Sequence, residues 1–282
     1  MFFHSTMEDI QNQPDERNIP IDRVGVKRLS YPITVLDKFR GRQETVAEIE
    51  MTVDLPHRFR GTHMSRFVEI LEKHRGEITL FTIGKILREI RKALNARCAS
   101  MSADFPYFIE KTAPVSGAKS LMRYDCRFSG TFSKSEDFVL TVTVPVTTLC
   151  PCSKEISKRS AHNQRSLVTV SAKFAKFLWI EDLVRMVEES ASAEVFTLLK
   201  RIDEKFLTER AYGRPRFAED LVREVAQRLE QTTEVVWFSV AVESIESIHA
   251  HSAYAFLKRE KVSQTKLSQD KKKTPLPFNS NT

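Results

Sequence analysis

Between residues 138 and 148 the chain reads Phe-Val-Leu-Thr-Val-Thr-Val-Pro-Val-Thr-Thr, a β-branched alternation that predicts a strand. Pro145 near its end points to an edge position or a bulge. Residues 82–98 show the other period. Ile83, Ile86, Leu87, Ile90, Ala93 and Leu94 recur at helical spacing, with Arg88, Arg91 and Lys92 off the apolar stripe. The same two periods divide the rest of the chain. Strands are expected at 30–37 and 45–54, the second stopped by Leu55-Pro56, and again at 104–111, 121–133, 166–174, 234–244 and 252–257. Helices are expected at 66–74, at 180–190 with Glu181 and Asp182 in the first turn, and at 194–205. After the break at Gly213-Arg214-Pro215 a last helix is expected. Pro215 is its early residue, it runs to about residue 231, and Leu221, Val222, Val225 and Leu229 face inward.

Helices set between strand pairs in both halves imply an α+β protein with antiparallel sheets and helices on one face. Residues 1–25 are polar and proline-containing, and are expected to form a loosely ordered arm. Residues 259–282, with Lys271-Lys272-Lys273, Pro275 and Pro277, are expected to be a disordered basic tail. With 282 residues, 41% of them hydrophobic, the part between can bury one large core or two fused small ones.

Charge changes this picture little. The net charge is +7, but the stretch from Lys258 onward holds seven Lys/Arg against two Asp/Glu, which leaves the body near +2. No patch of interleaved basic and aromatic residues occurs there, so nucleic acid is not an expected partner. No run of eighteen apolar residues exists, and Met1-Phe2-Phe3-His4 leads straight into a polar stretch, so neither a membrane span nor a secretory leader is expected. In the cytoplasm that this implies, Cys98, Cys126, Cys150 and Cys152 stay reduced, and such cysteines are buried, metal-bound or catalytic.

Chemistry concentrates at Thr147-Thr148-Leu149-Cys150-Pro151-Cys152-Ser153-Lys154-Glu155, where two cysteines flank a proline at the end of the strongest strand. A thiolate there can ligate a metal or act as a nucleophile, although two simply buried cysteines would look the same by spacing. His162 follows in the polar segment Ser160-Ala161-His162-Asn163-Gln164-Arg165. Glu246 and His249 stand three apart, close to His251, where a strand meets a loop. Cysteine, histidine and carboxylate together suit a catalytic metal site that keeps a position open for water, which points to hydrolysis. Nearby His or Glu groups could move protons.

These segments resemble the type IB GTP cyclohydrolases. The resemblance rests on Leu149 through Ser157, Ala161-His162-Asn163-Gln164-Arg165, Gly61-Thr62-His63-Met64-Ser65-Arg66-Phe67, Arg214-Pro215-Arg216-Phe217-Ala218-Glu219-Asp220 and Glu246-Ser247-Ile248-His249-Ala250-His251, in the family's order over residues 20–258. It implies the tunnelling fold, with two ββααββ modules per chain (about 26–148 and 149–258) forming β-barrels in a homotetramer whose active sites lie at subunit interfaces. It implies hydrolysis of GTP to 7,8-dihydroneopterin triphosphate and formate, the entry to folate synthesis, with zinc, manganese or iron as the metal. By the same resemblance Cys150 and His162 are metal ligands, and Glu204 is a further carboxylate at the metal. Glu246 and His249 are acid–base groups or alternative ligands. Cys152 is a second active-site thiol, and Glu219 anchors the guanine edge.

Glu219 suits that part, because a carboxylate can accept two hydrogen bonds from guanine, and an early helical position suits a negative charge. The triphosphate needs cations. Lys154 and Arg165 beside the Cys and His motifs, and His63 and Arg66 in another, are the candidates, with Lys158 and Arg159 nearby. Two other readings stay open: an NADPH-dependent nitrile reductase of the same fold, with a cysteine nucleophile and no metal, and a non-catalytic metal-stabilised binding protein.

Overall fold

Every second residue from Leu140 to Thr148 is buried. Leu140, Val142, Val144 and Val146 are wholly inaccessible while the hydroxyls of Thr141 and Thr143 face the other side. A computed structural model describes residues 10–74 and 79–261 of the chain. It contains an antiparallel sheet in which most strands pair with their sequence neighbours: β1 (Ile21–Asp37), β2 (Gly41–Leu55), β3 (Ala99–Thr112), β4 (Lys119–Phe132), β5 (Glu136–Leu149), β6 (Asn163–Phe174), β8 (Val235–Ile245) and β9 (Ser252–Glu260), in that order. A two-residue strand, β7 (Ala193–Glu194), adds to β5.

Six α-helices lie among the described residues. Helices α1 (Met64–Lys73) and α2 (Leu80–Ala93) pack together, and α2 covers β3 and β4. The short α3 (Pro151–Ile156) follows β5. Helix α4 (Ile180–Ser190) lies on β5, and α6 (Ala218–Gln231) lies on β8 and β9. Helix α5 (Arg201–Gly213) reaches β5 and β7 and closes a small second core of Leu149, Ala193, Leu207 and Ala211. The expected α+β class is therefore observed, and the apolar stripe of α2 is the buried one: Ile83, Ile86, Leu87 and Ile90 have no exposed surface.

Buried polar contacts tie α4 to the first half of the sheet. Tyr107 and Tyr124 face each other across β3 and β4. Tyr107 donates to Glu181 at 2.7 Å and Tyr124 to Glu188 at 2.8 Å, two carboxylates on one face of α4. Burial drives both phenol pKa values upward, reinforced by the adjacent carboxylates. Lys111 Nζ lies 2.6 Å from Glu188 and 3.4 Å from Glu194, and donates to the carbonyl of Val195 at 3.0 Å. Burial raises the Glu188 pKa, with Lys111 and Tyr124 pulling it partly back.

The structure departs from the sequence expectations at several points. β1 begins at Ile21, inside the expected arm, and β9 runs to Glu260, inside the expected tail. The remainder of those expectations, residues 1–9 and 262–282, lies outside the described residues. Pro145 is not in a bulge; it is on a central strand that is locally an unpaired edge on one side of the proline. It is tolerated because the β4 pairing ends at Thr143 and the β7 pairing starts at Val146, which leaves that side of Pro145 without a partner strand. Residues 195–200 are not helical. Their contacts go to the rest of the molecule, with Val195 accepting from Lys111 and Thr197 donating to the Leu121 carbonyl. Helix α5 starts only at Arg201, where Asp203 accepts from the backbone N–H of Lys200. Pro215 precedes α6, whose first residue is Ala218.

Candidate active site

The strand ends of β5, β6 and β8 converge on one corner. β5 pairs with β6 as far as Leu149↔Asn163, and β6 pairs with β8 as far as Arg165↔Ile245. Cys150, His162 and Glu246 are the next residues beyond these pairs. The backbone N–H of Cys150 donates to the carbonyl of His162 at 3.1 Å.

Cys150 is the N-cap of α3, and its Sγ accepts from the backbone N–H of Ser153 at 3.4 Å. Pro151 opens the helix at a position where no N–H is needed. Ser153 also ties the corner together: its hydroxyl donates to the Cys150 carbonyl at 3.3 Å and accepts from the His162 N–H at 3.2 Å. Cys152 is exposed on α3.

Gln164 orders the proton positions. Its Nε2 donates to Glu246 Oε1 at 3.4 Å and its Oε1 lies 3.1 Å from His162 Nδ1. An ionised carboxylate only accepts, so the amide nitrogen faces Glu246 and the amide oxygen faces His162. With Nδ1 donating to that amide oxygen, the neutral form of His162 has its lone pair at Nε2, the arrangement of a metal-ligating histidine held from behind. Glu246 Oε2 lies 3.8 Å from His162 Nδ1 and is buried without a hydrogen-bond partner among the described residues.

Thiol, imidazole and carboxylate, with one carboxylate oxygen buried and unsatisfied among the described residues, are the donor types of a cation site. Among the described residues, no three His, Cys, Asp or Glu side chains are gathered closely enough to hold a metal ion as they stand. His249 is exposed and stacks on His251, with ring centroids 5.3 Å apart. Glu204 is exposed on α5 and lines a cleft of about 290 Å³ together with Thr147, Asn163, Arg165 and Glu194. Of its lining, Asn163 pairs with Leu149 at the strand end, and Arg165 lies two residues further along β6.

The remaining expected residues fall into two places. The backbone N–H of Arg216 donates to the Leu149 carbonyl at 3.0 Å, which brings the segment before α6 against the corner. Glu219 follows in the first turn of α6. Asp220, rather than Glu219, accepts from the Phe217 N–H there, so the Glu219 carboxylate stays exposed. Lys154 Nζ donates to the Tyr212 carbonyl at 2.6 Å and lies over the Tyr212 ring. His63 and Arg66 belong to the first half: His63 is the N-cap of α1, and Arg66 donates to the Ala93 carbonyl at the end of α2.

Sequence reasoning assigned no part to Gln164 or Ser153. The Cys-x-x-Ser spacing of an N-cap and its N3 residue was the available signal for Ser153. Asp203, next to Glu204, is the wholly buried member of that pair. It accepts from the backbone N–H groups of Val115 and Ser116, from the Ser116 hydroxyl and from Lys200, fastening α5 to the β3–β4 turn. Burial pushes its pKa up, but these hydrogen bonds outweigh that and hold the carboxyl well below the usual carboxylate range.

A family model described as type I GTP cyclohydrolase folE2 matches residues 7–255. The chain is 58% identical over 251 residues to the GTP cyclohydrolase FolE2 of Syntrophotalea carbinolica, covering 89% of this chain and 94% of that one. It is 58% identical over 255 residues to the FolE2 of Syntrophus aciditrophicus, covering 90% and 100%. Among solved structures, urate oxidase from Bacillus sp. TB-90 superposes with a TM-score of 0.52 at 7% identity, covering 86% of this chain and 100% of that one. At that identity the likeness concerns the fold alone.

Proposed function

The chain belongs to the type I GTP cyclohydrolase FolE2 family, and on that premise we propose how the Cys150 corner serves the reaction. The protein is a GTP cyclohydrolase I of folate biosynthesis, and the nitrile-reductase and binding-protein readings are set aside. The reaction opens the imidazole ring of GTP, releases C8 as formate and recloses the product as 7,8-dihydroneopterin triphosphate. Within the family we assign the chain to the type IB branch.

Cys150 and His162 would hold a divalent ion (zinc, manganese or iron), with Glu204, Glu246 or His249 completing the set. When bound, such an ion supplies hydroxide at neutral pH. Everything else falls to the chain's own groups. Gln164 keeps the His162 lone pair on Nε2. Glu246 and His249 accept and return protons as the ring opens. Cys152, exposed beside Cys150, borders the same space. Glu219 accepts from guanine N1–H and the exocyclic amine, a charge-assisted pair. Lys154 and Arg165 beside the corner, and His63 and Arg66 on α1, face the triphosphate. The last two come to the site across a contact between copies, in a homotetramer whose sheets close into barrels. Residues 26–258 form the catalytic body as two ββααββ modules, a reading supported by the order β1-β2-α1-α2-β3-β4 in the first half. A cytoplasmic location agrees with the four free thiols.

The observation that supports this reading is the Gln164 bridge, which orients His162 and leaves a buried carboxylate oxygen of Glu246 unsatisfied 3.8 Å from His162 Nδ1. Its test is a metal titration of chelator-stripped protein, unaltered and as Gln164→Ala. Weaker binding in the variant is expected, and equal binding contradicts the bridge's role.

A further inference from the structure

The inward-facing residues of β5, β6 and β8 are apolar along most of their length: Val142, Val144 and Val146 on β5, Val168 and Val170 on β6, Val240 and Val242 on β8. At the last inward position before the corner all three strands change to a hydroxyl. Thr148 and Ser166 have no exposed surface, and Ser244 is 2% exposed. The hydroxyls bond to one another across the strands, Thr148 to Ser166 at 2.8 Å and Ser166 to Ser244 at 2.7 Å.

Each hydroxyl stands two residues from a residue of the corner. Thr148 precedes Cys150, Ser166 follows Gln164, and Ser244 precedes Glu246. Residues two apart on a strand share a face, about 7 Å apart. The Ser166–Ser244 bond is therefore repeated one step along the same two strands by the Gln164–Glu246 bond. Thr148 lies opposite Gln164 in register and reaches diagonally to Ser166.

Valine fills the same volume as threonine without a hydroxyl to satisfy, and the neighbouring positions use it. Core stability alone therefore gives no reason for three buried hydroxyls in a row. Hydrogen bonds, unlike apolar contacts, are directional and fix the lateral spacing of the strands that make them.

We propose that Thr148, Ser166 and Ser244 are positioning residues that set the spacing of the three strand ends, and through it the approach of Cys150, His162 and Glu246 to a divalent cation. This rests on the reading of the corner given above. None of the three touches the cation; they act through the residues two positions away, as groups behind metal ligands do.

Zinc affinity of stripped protein, measured by competition with a chromogenic chelator alongside the thermal melt, tests this. The triple variant T148V/S166A/S244A removes every hydroxyl and leaves none unpaired. It is expected to melt cooperatively yet bind zinc about 10–100-fold more weakly, while Thr148→Ser, which keeps the hydroxyl, binds like the unaltered protein. A merely structural ladder would lower the melting temperature and leave the affinity unchanged, which would overturn the inference. Should the triple variant not fold, Ser244→Ala alone is expected to weaken zinc binding, and unchanged affinity there overturns it equally. Cys150→Ala separates the two levels. If that variant loses zinc while the triple variant keeps it, the ladder inference alone fails. If it binds zinc as tightly as the unaltered protein, the reading of the corner fails and the ladder with it.

Discussion

His162 Nδ1 lies 3.8 Å from Glu246 Oε2, and the Gln164 amide joins the two side chains by accepting from one and donating to the other. The imidazole is thereby held with its other nitrogen available, in the same corner as the Cys150 thiol. Two strand pairings make this contact, β5 with β6 and β6 with β8.

Cys150→Ala removes the thiol but neither the N-cap position nor the backbone bond to His162. It is expected to abolish GTP turnover and strip bound metal while leaving the far-ultraviolet circular dichroism spectrum unchanged. Full turnover in this variant would remove Cys150 from the chemistry.

Glu219→Gln keeps the shape of the side chain and removes its charge. If the carboxylate anchors guanine, affinity for a non-hydrolysable guanine nucleotide falls by about 1–3 kcal/mol, the cost of losing a charged hydrogen-bond partner. Calorimetric titration of the metal-loaded protein measures it, and an unchanged affinity excludes the role.

Lys111→Met strands Glu188 in the core. Tyr124 still donates to that carboxylate, so the loss is expected near the low end of the range for a broken buried pair, about 3 kcal/mol. The sign of its pH dependence follows from the raised pKa of Glu188, which rises further without the lysine. A carboxyl whose folded pKa exceeds its unfolded value stabilises fully below the ordinary carboxylate range and loses that contribution as pH rises. Urea midpoints should therefore show a larger deficit at about pH 8 than at about pH 5. A deficit independent of pH would mean that Glu188 finds another partner.

Asp203 has the opposite sign. Its folded pKa lies below the usual range, so its contribution is complete above that range and is lost as pH falls through the folded value. Asp203→Asn replaces one accepting oxygen by a donor facing Ser116 and Lys200. The variant is expected to melt lower at neutral pH and to lose less stability on acidification than the unaltered protein. Parallel acid profiles would assign the buried carboxyl no part in the pH response.

Much of this architecture can be read from the chain where one period dominates. The alternation at 138–148 became β5 and the stripe from Ile83 to Leu94 became α2, because each buries one face against a single neighbour layer. The reading failed where contacts distant in sequence decide. Residues 195–199 have helix-compatible composition, yet Lys111 and Leu121, from the other half, engage Val195 and Thr197. Pro145 looks like an edge signal because the gap between the β4 and β7 pairings cannot be seen in one strand. At the site, Cys150, His162 and Glu246 were visible as metal-competent residues beside strand ends. Gln164 was not, since its part depends on the register that sets β6 against β8.

The central claim is that this chain hydrolyses GTP through a metal held at the Cys150–His162 corner. Its most direct test follows formate release and the fluorescence of the oxidised pterin product when purified protein, stripped of metal and then reloaded, is given GTP. Turnover that disappears with the metal, returns on reloading and is absent in Cys150→Ala is the predicted result. Turnover that persists after stripping, or survives in Cys150→Ala, would contradict it.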